Sequence, residues 1–167
     1  AVTLDLEQTR YRDLTYEVFT SLLDEEEFRG YEDAGTVVQA YLRDADRDLE
    51  RLVGWAEERG RHVHIRLVKG AYWDYETVSA AQDGLPAPVF THKPDTDAMY
   101  EKLAEAMLQR PDQVRPAFAS HNIRSLAAAI VTARELGLPD DAFEIQTLHG
   151  MGDPVKHAVR EMGLRLR

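Results

Sequence analysis

The feature that most constrains the fold of this chain is a strict alternation of strand-like and helix-like segments along its length. Short runs of apolar and β-branched residues are separated by longer runs whose apolar residues recur at helical spacing. Such alternation places a helical crossover between successive strands, which predicts parallel strands with right-handed connections. The chain is therefore predicted to be an α/β protein.

The strand-like segments are spread evenly over the sequence. They are 1–6, 36–42, 63–69, 89–91, 115–120, 143–148 and 164–167. The intervening segments predict helices, the first from the recurrence of Leu14, Val18 and Leu22. A second helix is predicted with Asp44 as its N-cap, an inward stripe and a stop at Gly60. That stripe consists of Ala45, Leu49, Leu52, Val53 and Ala56.

Later helix starts are also marked in the sequence. Helices are predicted after Asp74 and from the acidic stretch 95–97, the latter with an apolar stripe from Tyr100 to Leu108. Asn122 is a predicted cap for a helix that carries Leu126, Ala127, Ile130 and Ala133 inward. Asp153 and Pro154 predict the start of another helix, as a cap followed by proline in the first turn.

Two α/β architectures fit this alternation. A doubly wound sheet usually concentrates ligand binding at one switch point with a glycine-rich turn, and no G-x-G-x-x-G motif follows the first strand. Polar residues instead lie near the ends of many predicted strands, which is typical of a (βα)8 TIM-like barrel. These residues are Asp5, Gln39, Arg66 with Lys69, Thr91 with Lys93, His121 with Asn122, and Gln146 with His149.

Length indicates how much of a barrel is present. A complete barrel has about 250 residues, so 167 residues hold about six β/α units. The chain also begins inside a strand-like pattern and without an initiator Met. We therefore expect residues 1–167 to be the central part of a single barrel domain whose first and last strands are missing.

Composition excludes several classes of function. The net charge of -10 argues against a nucleic-acid surface and against a polybasic membrane patch. Without cysteine, the chain has neither disulfides nor thiolate metal sites. No apolar run approaches the roughly 18 residues that a transmembrane helix needs.

The third strand-like segment contains two cations in an apolar setting. Arg66 and Lys69 need an anionic or electron-rich partner, because an unpaired charge in a buried strand is costly. The break at Gly70 allows backbone to approach such a partner closely. An internal salt bridge to Asp5 or Glu7 is the alternative to a ligand.

A metal ion is not the ligand that these residues favour. His62 and His64 form an H-x-H pair, as in metal-dependent barrel hydrolases. They lie at the start of their strand, however, toward the face that serves stability in barrels. We interpret them as ordinary half-exposed strand residues and predict no metal site.

A large, flat anion with many hydrogen-bonding groups fits the strand ends better. Gln39 and Arg66 suit the pyrimidine edge and the hydride-accepting region of an isoalloxazine ring. Lys69, Lys93 and the helix entrance at 121–122 suit a pyrophosphate. A sugar-phosphate aldolase or isomerase barrel would use similar residues, so composition alone leaves this alternative open.

Several motifs, in order, closely resemble those of the proline dehydrogenase family. The likeness covers nearly the whole chain and is strongest to the flavin domain of the bifunctional proline utilisation A enzymes. The motifs are LDLEQ (4–8), VVQAYLRDADRDL (37–49), RLVKGAYWDYE (66–76), PVFTHKPDTD (88–97), FASHN (118–122) and IQTLHGMGDP (145–154).

The resemblance implies a distorted (βα)8 barrel that binds FAD non-covalently at the strand C-termini. It implies oxidation of L-proline to pyrroline-5-carboxylate by hydride transfer to flavin N5, with electrons passed to a quinone. A fused or partner aldehyde dehydrogenase domain is an expected associate. The expected location is the cytoplasm, with peripheral attachment to the inner membrane as an alternative.

The resemblance also implies roles for individual residues. Arg66 matches the arginine near flavin N5, and Gln39 matches the glutamine at the pyrimidine edge. Asp5, Tyr72 and Leu148 match residues that line the proline pocket, Asp5 through its charge network. The other matched cofactor contacts are Val68, Lys69, Gly70, Ala71, Trp73, Thr91, Lys93, His121, Asn122 and Gln146. Arg66 and Asp5 are therefore the predicted catalytic residues.

The chain departs from the family pattern at the site for the substrate carboxylate. The R-R-x-x-E-N motif is absent, as is the strand that carries the family's active-site lysine. Arg165 and Arg167 are not taken as substitutes. The complete protein is therefore the expected enzyme, and the 167 residues alone are expected to be inactive. The rival hypotheses are a cofactor-free, non-catalytic barrel fragment and a phosphate- or metal-dependent barrel lyase.

Overall fold

A parallel six-stranded sheet forms the centre of the protein. The computed structural model describes residues 2–167, so the first residue of the predicted strand 1–6 lies outside the described residues. Every pair of neighbouring strands is parallel. The strands are β1 (Val2–Leu4), β2 (Ala34–Gln39), β3 (Val63–Val68), β4 (Val114–Ala119), β5 (Glu144–Gln146) and β6 (Arg165–Leu166).

The helices occupy the crossovers between strands. They are α1 (Arg12–Asp24), α2 (Ala45–Arg59), α3 (Trp73–Gln82), α4 (Lys93–Leu108), α5 (Ile123–Glu135) and α6 (Asp153–Glu161). A short 3-10 turn, Thr9–Tyr11, precedes α1. None of the helices within residues 2–167 combines the length and the apolar character needed to cross a membrane.

The order of the strands distinguishes between the two predicted architectures. The strands lie in the sheet in the same order as in the chain, from β1 to β6. A doubly wound sheet reverses its strand order at a switch point, and no reversal occurs among residues 2–167. The predicted α/β fold with the winding of an incomplete (βα)8 barrel is therefore confirmed.

The predicted strand at 89–91 is wrong. Val89 makes only an isolated antiparallel bridge to Leu42, and the segment is a connection from α3 to α4. Val89 is nevertheless fully buried, which explains the apolar signal in the sequence. Pro86 and Pro88 precede it and lack the N–H group that a sheet ladder needs. The apolar run that remains after them is therefore too short to form a strand.

Two helices show how far apolar spacing predicts the buried face. The predicted inward stripe of α2 is buried and its C-cap is Gly60 in the left-handed region, so both predictions are confirmed. Asp44 holds the N-cap position, but its carboxylate accepts from Arg12 at 2.7 Å and makes no capping hydrogen bond. In α1, by contrast, Leu14, Val18 and Leu22 are exposed. The buried residues of α1 are instead Tyr16, Phe19 and Leu23. Tyr16 orients this face because its hydroxyl donates to the Val37 carbonyl at 2.9 Å.

Smaller corrections concern two other helices. Gly152, in the left-handed region, is the N-cap of α6, and the predicted cap Asp153 is its first residue. In α5, Ala127 is exposed and Ala129 is buried in its place. The predicted cap Asn122 is confirmed, because its side chain accepts a hydrogen bond from the Ser125 N–H at 3.1 Å.

The strand register places polar residues together on the face of the sheet that the helices do not cover. In β3, Val63, Ile65 and Leu67 are buried in the core, so alternate residues point to the opposite face. Register pairing aligns those residues across the sheet in successive rows. One row pairs Val37 with Arg66, Ala117 and Glu144; the next pairs Gln39 with Val68, and Ala119 with Gln146.

A glycine in the middle of α2 offers a test of the helix. A Cβ atom added to Gly54 would have no heavy atom within 4 Å. We expect Gly54→Ala to stabilise the protein by about 0.5–1 kcal/mol, because alanine loses less backbone entropy in a helix. Urea unfolding measures the change. An unchanged or lower free energy of unfolding would contradict it.

Candidate active site

A cavity of about 710 Å³ opens at the C-terminal ends of the strands. This volume is typical of a site for a small molecule or cofactor. Its lining comes from segments at or just beyond the ends of β1 to β6 and from the start of α4. The sheet winding therefore brings residues from distant parts of the sequence to one rim, as barrels do.

Most of the residues predicted from the strand ends line this one cavity. Gln39, Arg66 and His121 do not open onto different sides of the molecule, which would have contradicted a shared site. The predicted residues in the lining are Asp5, Gln39, Arg66, Val68, Lys69, Gly70, Ala71, Lys93, His121, Asn122, Gln146 and Leu148. Their roles toward a cofactor or substrate remain predictions.

Three predicted site residues, and one further polar residue, do not line the cavity. Tyr72 and Trp73 form the start of α3, where the Trp73 indole N–H donates to the Phe90 carbonyl at 2.9 Å. Thr91 is exposed and follows no strand, because none forms at 89–91. His149 is exposed in the turn after β5. The sequence predicted that these residues lie near strand ends. It could not show at which residue each connecting segment leaves the cavity.

Arg66 is held by two partners at the cavity. Its Nη1 atom forms an ion pair with Asp5, which is the internal salt bridge that the sequence offered as an alternative to a ligand. Its Nε atom donates to Gln146 Oε1 at 2.8 Å. Arg66 also lines the cavity, so the salt bridge and exposure to a ligand are compatible. Arg66 thus places an oriented positive charge at the rim.

Glu144 was missed by the sequence analysis. Its Oε1 atom accepts a hydrogen bond from Gln146 Nε2 at 2.6 Å. The available signal was its position two residues before Gln146 in a strand, because residues two apart share one face.

Lys69 and Lys93 share one carboxylate at the edge of the cavity. Asp97 lies 2.5 Å from Lys69 Nζ and 2.7 Å from Lys93 Nζ. Burial raises the pKa of Asp97, but hydrogen bonds from the two lysines outweigh it and the net pKa is lowered. Two cations and one anion leave a net positive charge. From the sequence, Asp97 was predicted only as part of an acidic helix start, and its pairing with the two lysines was not predicted.

The Asp97 cluster gives a pH-dependent prediction. A lowered native pKa contributes stability above the unfolded pKa of about 3.9, which is lost as pH falls through the native pKa. We therefore expect Asp97→Asn to lose about 1 kcal/mol of unfolding free energy at pH 7 and less below pH 4. Urea unfolding at several pH values measures this. Asp112→Asn, at an exposed turn, is the control, and a pH-independent difference would contradict the prediction.

Gln39 presents an unsatisfied acceptor in the cavity lining. Its side chain is 2% exposed, and Nε2 donates to the Glu7 carbonyl at 3.1 Å. Oε1 is buried and has no hydrogen-bond partner among residues 2–167. A buried polar atom without a partner costs about 1–3 kcal/mol. A ligand N–H group would remove this cost, so Gln39 fits a ring with an amide-like edge.

His121 is fixed in one tautomer. The Leu148 N–H donates to His121 Nε2 at 3.1 Å, so the Nε2 atom is the acceptor and the proton lies on Nδ1. Nδ1 has no partner among the described residues. A Cβ on Gly152 would lie 2.8 Å from this atom, so the glycine leaves room at the ring. The adjacent N-terminus of α5, capped by Asn122, adds backbone N–H groups suited to an anion.

His62 and His64 lie at the opposite end of β3 from the cavity rim. Their rings pack edge to face at a centroid distance of 5.4 Å. Burial lowers the pKa of both imidazoles, reinforced by Arg115 at His62 and by His62 at His64. Within residues 2–167, no cluster of three or more His, Cys, Asp or Glu side chains is arranged to hold a metal ion.

Comparison with known proteins agrees with this geometry. The sequence profile of the family described as Proline dehydrogenase matches residues 1–167. The bifunctional protein PutA of Escherichia coli is 36% identical over 159 residues, which are 95% of this chain and 12% of that protein. Proline dehydrogenase 2 of Bacillus subtilis is 29% identical over 99% of this chain and 47% of its own length.

Solved structures show the same fold. PutA from Bdellovibrio bacteriovorus, inactivated by N-propargylglycine, is 49% identical and superimposes with a TM-score of 0.97. The match covers 99% of this chain and 17% of that one. The chain thus spans less than half the length of these relatives. A family profile that matches throughout and a closely similar fold lead to one conclusion: the chain belongs to the proline dehydrogenase family.

Proposed function

We propose that this chain is the central part of the barrel domain of an FAD-dependent proline dehydrogenase. The reaction is oxidation of L-proline to pyrroline-5-carboxylate by hydride transfer to flavin N5, with a quinone as the final electron acceptor. The observation that carries the proposal is the convergence of Gln39, Arg66 and His121 on one cavity, with the Lys69 and Lys93 cluster at its edge. Family membership supports the same activity.

The cavity residues fit the chemistry of a flavin dinucleotide. When bound, FAD supplies a two-electron acceptor for the hydride of proline. Gln39 Oε1 is an unsatisfied acceptor for a ring N–H group. Lys69 and Lys93, with net positive charge after pairing with Asp97, suit a pyrophosphate. The N-terminus of α5 adds backbone donors for the same group.

Arg66 and Asp5 are the proposed catalytic residues. Arg66 stabilises negative charge that arrives at the rim during hydride transfer. Asp5 orients Arg66 through their ion pair. Leu148 supplies apolar surface beside the proposed proline site. Tyr72, Trp73 and Thr91 are outside the cavity lining, so the proposal that Tyr72 contacts the substrate, and Trp73 and Thr91 the cofactor, is supported only by their match to the family motifs.

Purification of the full-length protein tests the proposal. We expect a yellow protein whose extracted cofactor is FAD, bleaching of its absorbance by L-proline without oxygen, and recovery of colour with a quinone. The product should be trapped as pyrroline-5-carboxylate. A colourless protein that neither takes up FAD nor oxidises proline would support a cofactor-free barrel. Activity with a phosphorylated substrate, lost with chelator, would support a lyase.

The proposed partners follow from the product and the acceptor. Hydrolysis of pyrroline-5-carboxylate yields an aldehyde, so a fused or separate aldehyde dehydrogenase domain is the expected consumer. The Escherichia coli relative is named bifunctional, in keeping with such a fusion. A membrane quinone as acceptor favours a cytoplasmic enzyme with peripheral contact to the inner membrane.

A further inference from the structure

A line of hydrogen-bonded side chains crosses the sheet at the cavity, and four of its five residues line the cavity. Asp5 pairs with Arg66, and Arg66 Nε donates to Gln146 Oε1 at 2.8 Å. Gln146 Nε2 then donates to Glu144 Oε1 at 2.6 Å, and Arg167 Nε lies 3.3 Å from the same oxygen. Arg66 lies in β3 and Glu144 and Gln146 in β5, while Asp5 directly follows β1 and Arg167 directly follows β6. The line therefore couples the orientation of side chains across most of the sheet.

Only one orientation of the Gln146 amide satisfies both neighbours. The Nε–H group of Arg66 can only donate a hydrogen bond, so it needs the amide oxygen. An ionised Glu144 can only accept, so it needs the amide nitrogen. If the amide rotated by a half turn, N–H would face N–H at Arg66 and oxygen would face oxygen at Glu144. Glu144 thus adds a second hydrogen bond that favours the orientation in which Gln146 holds Arg66.

Glu144 acts from outside the cavity. The cavity lining includes Asp5, Arg66, Gln146 and Arg167, whereas Glu144 is not part of it. Glu144 lies one row below Gln146 on the same face of β5, opposite Arg165 in the register. Its side chain is 26% exposed and is also paired with Arg167 through the same oxygen. Glu144 therefore reaches the cavity only through its contacts with Gln146 and Arg167, and Gln146 is the one of the two that holds Arg66.

We infer that Glu144 is a positioning residue: it fixes the Gln146 amide, which together with Asp5 fixes the Arg66 guanidinium at the cavity. The effect on catalysis rests on the proposed function. The effect on side-chain orientation rests only on the contacts within this chain. The two can therefore be tested separately.

The first test compares two substitutions in the full-length, flavin-loaded protein. Glu144→Ala removes the acceptor, so we expect the rate constant of flavin reduction by proline to fall about tenfold, with proline affinity changed less than about twofold. Glu144→Gln keeps an oxygen that can accept from Gln146, so it should recover most of the rate. Glu135→Ala, exposed at the end of α5, is the control. Equal losses in the Ala and Gln variants would overturn the inference.

A double-mutant cycle asks whether Glu144 acts through Gln146. In a Gln146→Ala background, Glu144→Ala should lower the rate constant by less than about twofold, because the group that it orients is already gone. A merely structural role predicts that the two losses multiply. Multiplied losses would therefore overturn the inference.

A structural readout separates this inference from the proposed function. In crystals of the flavin-free, full-length Glu144→Ala protein, we expect Arg66 to lose its 2.8 Å contact with Gln146. Retention of that contact would overturn the inference whether or not the protein oxidises proline. If the wild-type protein neither binds flavin nor oxidises proline, the proposed function is overturned. The crystallographic test of Glu144 can still be carried out in that case.

Discussion

Arg66→Met should lower the rate constant of flavin reduction by proline about a hundredfold or more, the usual loss when a preorganised charge-stabilising group is removed. The proline dissociation constant should change far less. Methionine keeps much of the length of the side chain but removes both the positive charge and the donors to Asp5 and Gln146. Anaerobic single-turnover mixing over a range of proline concentrations separates the rate constant from the affinity.

Two further variants sharpen this test. Arg66→Lys keeps a positive charge, but its single ammonium group cannot replace the guanidinium N–H donors that reach Asp5 and Gln146 together. An intermediate rate constant is therefore expected. Arg160→Met removes an arginine from the exposed surface of α6 and should leave the rate unchanged. A rate of single-turnover reduction in Arg66→Met equal to that of the wild type would refute the catalytic role.

Gly70→Ala should destabilise the protein by about 2–5 kcal/mol, the combined cost of a strained backbone and an overpacked contact. Gly70 has a φ of +125°, a conformation that residues with a Cβ atom rarely adopt. An added Cβ would also overlap the ring of Tyr41, which is 3% exposed and cannot move into solvent. The strand end at the cavity therefore requires glycine for two independent reasons.

Urea unfolding of the purified protein measures this effect. Gly30→Ala is the matched control, because its Cβ would have open space and its φ is not in the left-handed region. The control should change the free energy of unfolding by no more than about 0.5 kcal/mol. A similarly small change in Gly70→Ala would show that the break after β3 tolerates a side chain.

Local sequence patterns predicted the elements that depend on local interactions. The α2 stripe and its glycine cap are correct because helical spacing and a left-handed C-cap are properties of neighbouring residues. The Asn122 cap is correct for the same reason. The strand at 89–91 failed because Val89 is buried by tertiary packing against the segment at Leu42 and not by a sheet ladder. Burial and strand formation give the same apolar signal in a short run.

The face of α1 could not be predicted from spacing alone. Leu14, Val18 and Leu22 form a regular stripe, yet Tyr16, Phe19 and Leu23 form another, and only the second is buried. Both stripes satisfy helical periodicity. The hydrogen bond from the Tyr16 hydroxyl to β2 distinguishes them, and that bond exists only in the folded chain.

By itself, the sequence determined the alternation of strands and helices and therefore which residues lie at the strand C-termini, because these follow from periodicity and chain direction. The tertiary structure alone decided which charges meet. Arg66 is 61 residues from Asp5 and 80 from Gln146, and Lys69 is 28 residues from Asp97 in α4. Partners at such separations are selected by sheet register and helix placement, which are global properties of the fold.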